Sequence, residues 1–167
     1  MAGKVVVDTD ILSMFAKADA LEALQEALHP WIPVMTPAIR DEISVPLEYG
    51  FDFPQRVMAH IPVEPLSPSM LETYARLAAS GRTIGRGELE AIAYCLSTGN
   101  LLATNDARAR AFAQEQGVAV ISLQAILRIL WEERGWSQTK VRQLLERLKQ
   151  VDRLKVSPEV EAEIFEN

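Results

Sequence analysis

Two carboxylate side chains follow short apolar segments of this chain, a position from which they could do chemistry. Asp8 follows the valines at 5–7, and Asp106 follows the segment 101–104 and Asn105. Apolar and β-branched runs of this length predict strands buried on both faces of a parallel sheet. Ligands of open α/β sheets bind outside the carboxyl ends of the strands, so we expect both acids at that edge. An ionised Asp8 there needs a partner such as a cation.

The residues after Asp8 predict a helix and offer a second acid. Thr9 and Asp10 can each cap a helix over residues 11–16. Asp10 is therefore interpreted either as a cap or as a secondary residue of the site. Because Asp8 lies on the strand side of the junction, we expect it to be a poorer cap than its two neighbours.

A third candidate acid, Glu42, lies in a helix that Thr36 and Pro37 predict, with Thr36 as the N-cap. Ile39 and Ile43 mark its apolar stripe, and Glu42 falls within that stripe, so we expect it to face the core. A core-facing glutamate is unusual unless it is paired or binds a metal. The alternative is a glutamate at the edge of the stripe that reaches water.

The fourth region of interest is a helix predicted from the glycine-containing segment 81–87 to about residue 97. Its first turn carries Glu88 and Glu90, and residues two apart on a helix point about 200° apart. Glu88 is expected on the shoulder of the buried stripe and Glu90 on the wetter side, which makes Glu88 the better site candidate. Alternatively, both acids only complement the helix dipole. The glycines do not match a phosphate-binding loop.

The order of the predicted elements indicates an α/β fold with a parallel sheet. Strands are expected at 5–7, 32–35, 100–104 and 118–121, separated by helices. Residues 45–56 look irregular, and 61–66 is at best an extended edge because it contains two prolines. After about residue 135 the pattern is helical only. Serines predict the starts of the last three helices, Ser122, Ser137 and Ser157.

Composition limits the classes of function. The chain has 167 residues, a formal net charge of −6 and an isoelectric point near 5.0. This charge argues against a broad electrostatic grip on nucleic acid, although it permits a local basic rim around an acidic centre. The single cysteine, Cys95, excludes an internal disulfide, and no apolar run or leader pattern predicts a membrane or secreted protein. We expect a cytoplasmic protein.

The acids suit hard divalent cations, which prefer carboxylate oxygens. Two ions about 4 Å apart can activate a water and stabilise the leaving oxygen of a phosphodiester. Arginines flank the third and fourth acids and are candidate contacts to backbone phosphates, or else solvated surface residues. These are Arg82, Arg86, Arg108 and Arg110.

Together these motifs resemble the acidic signature of PIN-domain ribonucleases, in particular the bacterial and archaeal group related to VapC-type toxins. The resemblance covers about residues 4–130. The matching segments are Asp8-Thr9-Asp10, Glu42, the segment 87–93 that begins Gly-Glu, and Thr104-Asn105-Asp106.

The resemblance implies a three-layer α/β/α sandwich that cleaves RNA with Mg²⁺ or Mn²⁺. It implies catalytic roles for Asp8, Glu42, Glu88 and Asp106, with metal held by Asp8, Glu88 and Asp106. Thr104, Asn105, Asp10 and Glu90 are secondary candidates. It further implies a small antitoxin partner and often a homodimer. We divide the chain into a PIN-like catalytic domain, residues 1–130, and a helical extension, 131–167, packed on the same domain.

Two other functions stay open from the sequence. One is a non-catalytic PIN-like module that binds a protein or RNA through the same fold. The other is a haloacid-dehalogenase-like phosphatase, which also begins with a strand and an Asp-x-Asp motif. That class would need a suitably placed lysine and a paired acidic motif after a later strand, and Asn105-Asp106 supplies only half of the pair.

Overall fold

A parallel sheet brings the carboxyl ends of four strands to one edge of the molecule. The computed structural model describes residues 3–166. The strands lie in the order β2-β1-β3-β4, and every neighbouring pair is parallel. They are β1 (Lys4–Val7), β2 (Ile32–Val34), β3 (Leu101–Ala103) and β4 (Val120–Ile121).

Helices cover both faces of this sheet. Successive residues of a strand point to opposite faces, and Val5, Val6 and Val7 are all fully buried. The α/β/α layering expected from the sequence is therefore confirmed. The helices are α1 (Thr9–Lys17), α2 (Leu21–Leu28), α3 (Pro37–Ser44), α4 (Phe53–His60), α5 (Pro68–Ala78), α6 (Arg86–Thr98), α7 (Ala107–Glu115), α8 (Leu123–Glu132), α9 (Gln138–Asp152) and α10 (Pro158–Phe165).

The segment 45–56, predicted to be irregular, is mostly helical. A 3₁₀ helix spans Val45–Tyr49, and α4 begins at Phe53. Phe53 and Val57 lie four residues apart and are both buried, and α4 packs against α1. Burial of this short apolar stripe, and not local propensity, stabilises the helix. The segment after α4 is extended, as expected, and forms one isolated bridge between Met35 and Val63.

The C-terminal helices share the core of the sheet. Helix α9 packs against α1, and α10 packs against α8. Leu144, Leu148 and Ile164 are buried in the same cluster as the strands. The indole N–H of Trp131 also donates a hydrogen bond to the carbonyl of Ile164 at 2.7 Å. The domain boundary at residue 130 stays a prediction.

Within residues 3–166, no helix combines the length and the apolar character that a membrane span requires.

Candidate active site

Asp8 lies at the centre of the carboxyl edge and is only 4% exposed. One carboxylate oxygen, Oδ1, accepts a hydrogen bond from the backbone N–H of Ile11 at 2.9 Å. The other, Oδ2, accepts from the hydroxyl of Thr104 at 2.5 Å. Asp8 is therefore the N-cap of α1, and the expectation that Thr9 or Asp10 would cap this helix was wrong. The reason is that only one residue separates β1 from α1, so the strand-end residue is also the cap.

The surroundings of Asp8 change the pKa of its carboxyl group. Burial raises the pKa of Asp8 to about 6, and the nearby carboxylates of Asp10 and Glu88 act in the same direction. The hydrogen bonds from Thr104 and Ile11 oppose this change because they favour the charged form. Near neutral pH this acid is ionised at a cost, a state that a bound cation would relieve.

Asp106 repeats this arrangement one strand away. It is the N-cap of α7, and its Oδ1 accepts from the backbone N–H of Ala109 at 3.0 Å. Its own backbone N–H donates to the Thr104 hydroxyl oxygen at 3.2 Å. Thr104 is fully buried and thus joins the two acids through one hydroxyl group. Asn105, between Thr104 and Asp106, is half-buried.

Glu42 reaches the site from the surface and not from the core. Glu42 is exposed to solvent, so the prediction that it faces the core was wrong. Its Oε2 accepts from the hydroxyl of Thr9 at 2.6 Å, and its Oε1 accepts from the backbone N–H of Gly87 at 3.2 Å. The apolar contact of α3 is made by Ile39 and Ile43, and Glu42 lies at the rim of that contact, facing α1 and the start of α6.

Gly87 gives Glu42 the space to approach α6. A Cβ atom at this position would lie 2.6 Å from Oε1 of Glu42, which is closer than real Cβ contacts. From the sequence, the only conclusion about the glycines before Glu88 was that they do not match a phosphate-binding loop. A glycine directly before an acidic residue at a helix start was the available signal for a close approach.

Glu88 and Glu90 have different surroundings. Glu88 is half-buried, and burial raises its pKa, as do the carboxylates of Glu42, Asp106 and Asp10. Glu90 is 6% exposed, so the prediction that it lies on the wetter side of α6 was wrong.

The buried carboxylate of Glu90 has a structural partner. Its Oε1 accepts from the backbone N–H of Ala38 at 2.7 Å, in the first turn of α3. Thr36, the predicted cap of α3, does occupy the N-cap position, but its buried hydroxyl has no hydrogen-bond partner within residues 3–166. Because α3 packs against α6, Glu90 takes over the capping that Thr36 does not provide.

Asp10 lies on the outer side of the cluster, next to a residue that the sequence gave no reason to consider. Partial burial raises the pKa of Asp10, and the carboxylates of Asp152 and Asp106 raise it further, while Lys17 lowers it. Asp152 is the last residue of α9, and its Oδ1 lies 2.7 Å from Nζ of Lys17. The extension therefore adds a charge pair beside the acidic edge.

Of the four candidate phosphate-binding arginines, two lie next to carboxylates and two do not, in the part of the chain that the structure describes. Arg82 forms an ion pair with Glu115 at 2.6 Å, and Arg86 lies 3.8 Å from a carboxylate oxygen of Asp41. Arg108 is exposed, and Arg110 is half-buried. Neither of the last two has an ion-pair partner among residues 3–166, so both guanidinium groups on α7 are available to an anion beside Asp106.

The donor set is suited to a hard cation, although it does not form a closed cage. Within residues 3–166, no three His, Cys, Asp or Glu side chains already surround a common point. The carboxylates of Asp8, Glu88 and Asp106 nevertheless occupy one edge, and the charges that act on Glu88 are carboxylates alone. Mg²⁺ is usually bound by one or two carboxylates together with water and phosphate oxygens, so a complete cage is not required.

Replacement of Asp8 by asparagine is expected to stabilise the metal-free protein above pH 6. The pKa of Asp8 is about 6 in the folded state against 3.8 ordinarily, so its ionisation opposes folding. The penalty is absent below about pH 4, grows as the pH rises, and is complete above the folded pKa. A shift of about two units corresponds to at most ~3 kcal/mol. The asparagine oxygen can still accept from the N–H of Ile11, and its amide N–H can donate to the Thr104 hydroxyl oxygen in place of the bond that Thr104 donates to Asp8.

This effect is measured by urea unfolding of both proteins in chelator at about pH 8 and about pH 4. The stabilisation is expected at the higher pH only. Asp52→Asn is the matched control, because the Asp52 side chain is 82% exposed and should change stability by less than about 0.5 kcal/mol. An Asp8→Asn protein less stable than wild type at the higher pH would contradict the assigned burial penalty.

Comparisons with known proteins agree with this architecture. The chain is similar to a solved PilT N-terminus domain protein, SSO1118, from the hyperthermophilic archaeon Sulfolobus solfataricus P2, with 19% sequence identity and a TM-score of 0.53. The similarity covers 77% of this chain and 94% of that one, and at this identity it shows the fold. No curated protein matches the chain. A family model described as a PIN domain matches residues 4–167, and the chain therefore belongs to the PIN-domain family.

Proposed function

We propose that this protein is an endoribonuclease that hydrolyses RNA phosphodiester bonds with Mg²⁺ or Mn²⁺. PIN-domain proteins are generally nucleases. The observation that carries the proposal is the acidic cluster itself. Four acids from four separate elements, Asp8, Glu42, Glu88 and Asp106, meet at one edge of the sheet, and the pKa values of Asp8 and Glu88 are raised there. Burial of like charges is costly, and it is typical of functional sites.

The oxygen donors fit a divalent cation, which Asp8, Glu88 and Asp106 would hold. When bound, such an ion polarises the phosphate and lowers the pKa of a coordinated water. The chain's own contribution is orientation. Thr104 and the N–H of Ile11 hold Asp8, while Thr9 and Gly87 hold Glu42. Fixed donors and acceptors of this kind reduce the reorganisation that the reaction requires.

Helix N-termini assist in the same place. Helix α1 starts at Thr9, with one residue between it and the end of β1, and α7 starts at Ala107, with three residues between it and the end of β3. Helix α6 starts two residues before Glu88. Their positive dipole ends partly offset the repulsion among the carboxylates and favour a bound phosphate. Arg108 would contact a phosphate of the RNA strand beside the cleaved bond, and Arg110 would contact the RNA next to it.

The toxin role is a finer proposal that rests on the resemblance to VapC-type proteins. It includes a small antitoxin protein as partner and a homodimer as the assembly. A short reading frame adjoining this gene would support the role, and so would growth arrest on expression that Asp8→Asn abolishes. Growth unaffected by a protein that cleaves RNA in vitro would limit the proposal to a nuclease.

Cleavage is expected to require metal and Asp8. Wild-type protein should cut single-stranded RNA with Mg²⁺ or Mn²⁺ and lose this activity in chelator, because the carboxylates alone supply no Lewis acid. Metal should also raise the melting temperature of wild type by binding the native state preferentially. Both effects should be nearly absent in Asp8→Asn and intact in Asp52→Asn. RNA cleavage that is indifferent to metal would contradict the proposal, and RNA binding without cleavage would favour the non-catalytic module.

Glu88 and Glu90 provide an internal comparison on one helix. Glu88→Gln should lower the cleavage rate by about a hundredfold or more, because a neutral amide holds the cation that stabilises the transition state less firmly than a carboxylate does. Glu90→Gln should cleave at nearly the wild-type rate but unfold about 1 kcal/mol more easily, because a neutral acceptor caps Ala38 more weakly. The test is to measure the RNA cleavage rate and the urea unfolding of both variants. Inactivity of Glu90→Gln alone would show that the roles are reversed.

Gly87→Ala should lower the cleavage rate without lowering the stability of the fold. The new Cβ would displace the carboxylate of Glu42, which can swing away into solvent, so the fold should tolerate the change. Alanine favours a helix over glycine by up to about 1 kcal/mol, so stability should be equal or higher. The cleavage rate should fall toward that of Glu42→Gln. Wild-type activity in Gly87→Ala, measured with saturating metal, would mean that the position of Glu42 is unimportant.

A further inference from the structure

A cavity of about 240 Å³ lies beside the acidic edge, on the side of the C-terminal helices. Its apolar walls come from α8, α9, α10 and the linker between α9 and α10, and include Leu127, Leu145 and Leu154. A water molecule occupies about 30 Å³ of liquid, so the space is sufficient for a planar ring system.

The polar groups of this cavity are concentrated near the site. Asn105 and Arg110 line it from the β3–α7 side, and Gln124 lines it from α8. Among residues 3–166, the side chains of Asn105 and Arg110 have no hydrogen-bond or ion-pair partner, and the Gln124 amide has only a 3.5 Å contact to Glu163. Lys155, in the linker between α9 and α10, also lines the cavity but is exposed. The half-buried polar groups are therefore two amides and one guanidinium over an apolar wall. This combination suits a flat, polar-edged heterocycle better than a lipid or a bare anion.

The cavity and the acidic cluster are connected through Asp106. Asn105 directly precedes Asp106, and the backbone N–H of Arg110 donates to the Asp106 carbonyl at 2.9 Å. One helical turn thus separates the carboxylate from the guanidinium. An RNA strand with a phosphate at Asp106 would place the base of an adjoining nucleotide at the opening of the cavity.

We propose that this cavity binds one unpaired nucleobase next to the cleaved phosphodiester and selects guanine there. The inference rests on the proposed nuclease function. Sequence-specific recognition of RNA mostly uses unpaired bases that are splayed out and read along their edges. Arginine pairs in a bidentate manner with the O6 and N7 acceptors of guanine, while asparagine and glutamine amides complete the edge contacts. Arg110 would therefore determine the base, and Arg108 would contact phosphate only.

The cleavage experiment uses single-stranded RNA of randomised sequence and sequencing of the cut ends. Wild type should prefer guanine at one fixed position beside the cut, and Arg110→Ala should reduce that preference about tenfold, the discrimination that one bidentate contact provides. Gln124→Ala should reduce it less. Arg108→Ala is the comparison, because loss of a phosphate contact should slow cutting at all sequences equally. A profile without base preference, or one that Arg110→Ala leaves unchanged, would overturn the proposal.

A binding experiment separates this proposal from the nuclease function. Guanosine 5′-monophosphate is added to metal-free wild type, and the side-chain amide NMR signals of Asn105 and Gln124 are followed, with ribose 5-phosphate as control. Guanosine 5′-monophosphate should shift these amide signals, and ribose 5-phosphate should not. Shifts in a protein that cuts no RNA would refute the nuclease proposal and retain the pocket. Cutting without such shifts would refute the pocket.

A second variant covers the case in which Arg110→Ala does not fold, which thermal melts would show. Val156→Trp changes a half-buried linker residue at the wall of the cavity and should block it. Guanine preference should then be lost while cutting continues. Unchanged preference in a folded Val156→Trp protein would place base recognition elsewhere.

Discussion

The hydrogen bond that Thr104 donates to Asp8 joins the ends of the two central strands, and the site depends on it. It links a buried hydroxyl to a buried carboxylate across the β1–β3 pair, and the same hydroxyl oxygen accepts from the backbone of Asp106. Because unpaired polar groups are costly in such surroundings, this network fixes the relative position of the two strand ends. Each of these strands is followed, within three residues, by an acid that caps the next helix. One set of contacts therefore connects the two strand ends, the starts of α1 and α7 and the positions of two carboxylates.

The cost of this arrangement is electrostatic. Asp8, Asp10 and Glu88 all have raised pKa values, for which burial is the first cause and neighbouring carboxylates a further one. Such repulsion lowers the stability of the folded state at a pH where these carboxyl groups are ionised. Packing of an extensive apolar core, which the C-terminal helices complete, offsets the penalty. Helix dipoles and hydrogen bonds reduce the repulsion without neutralising it, and the edge remains attractive to a cation.

The C-terminal helices contribute more to the site than a cover for apolar surface. Asp152 at the end of α9 acts on the ionisation of Asp10, and the linker that follows forms a wall of the cavity beside Asp106. The family match likewise extends to residue 167. The first part of the fold thus supplies the carboxylates, and its last part supplies a wall of the neighbouring cavity.

Features that depend on local periodicity and on the order of the elements could be predicted from the amino-acid sequence. The valine run at β1, the acids after β1 and β3, and the capping serines at 122, 137 and 157 each follow from short-range rules, and the parallel α/β architecture follows from their alternation. The tertiary structure alone decided which side of a helix is covered. Glu90 is buried because α3 packs on that side of α6, and Glu42 is exposed because it lies at the rim of the same contact. Likewise, Asp152 and Asp10 are distant in the chain and interact only through space. Such contacts depend on the packing of several elements together, which a pattern within one element does not encode.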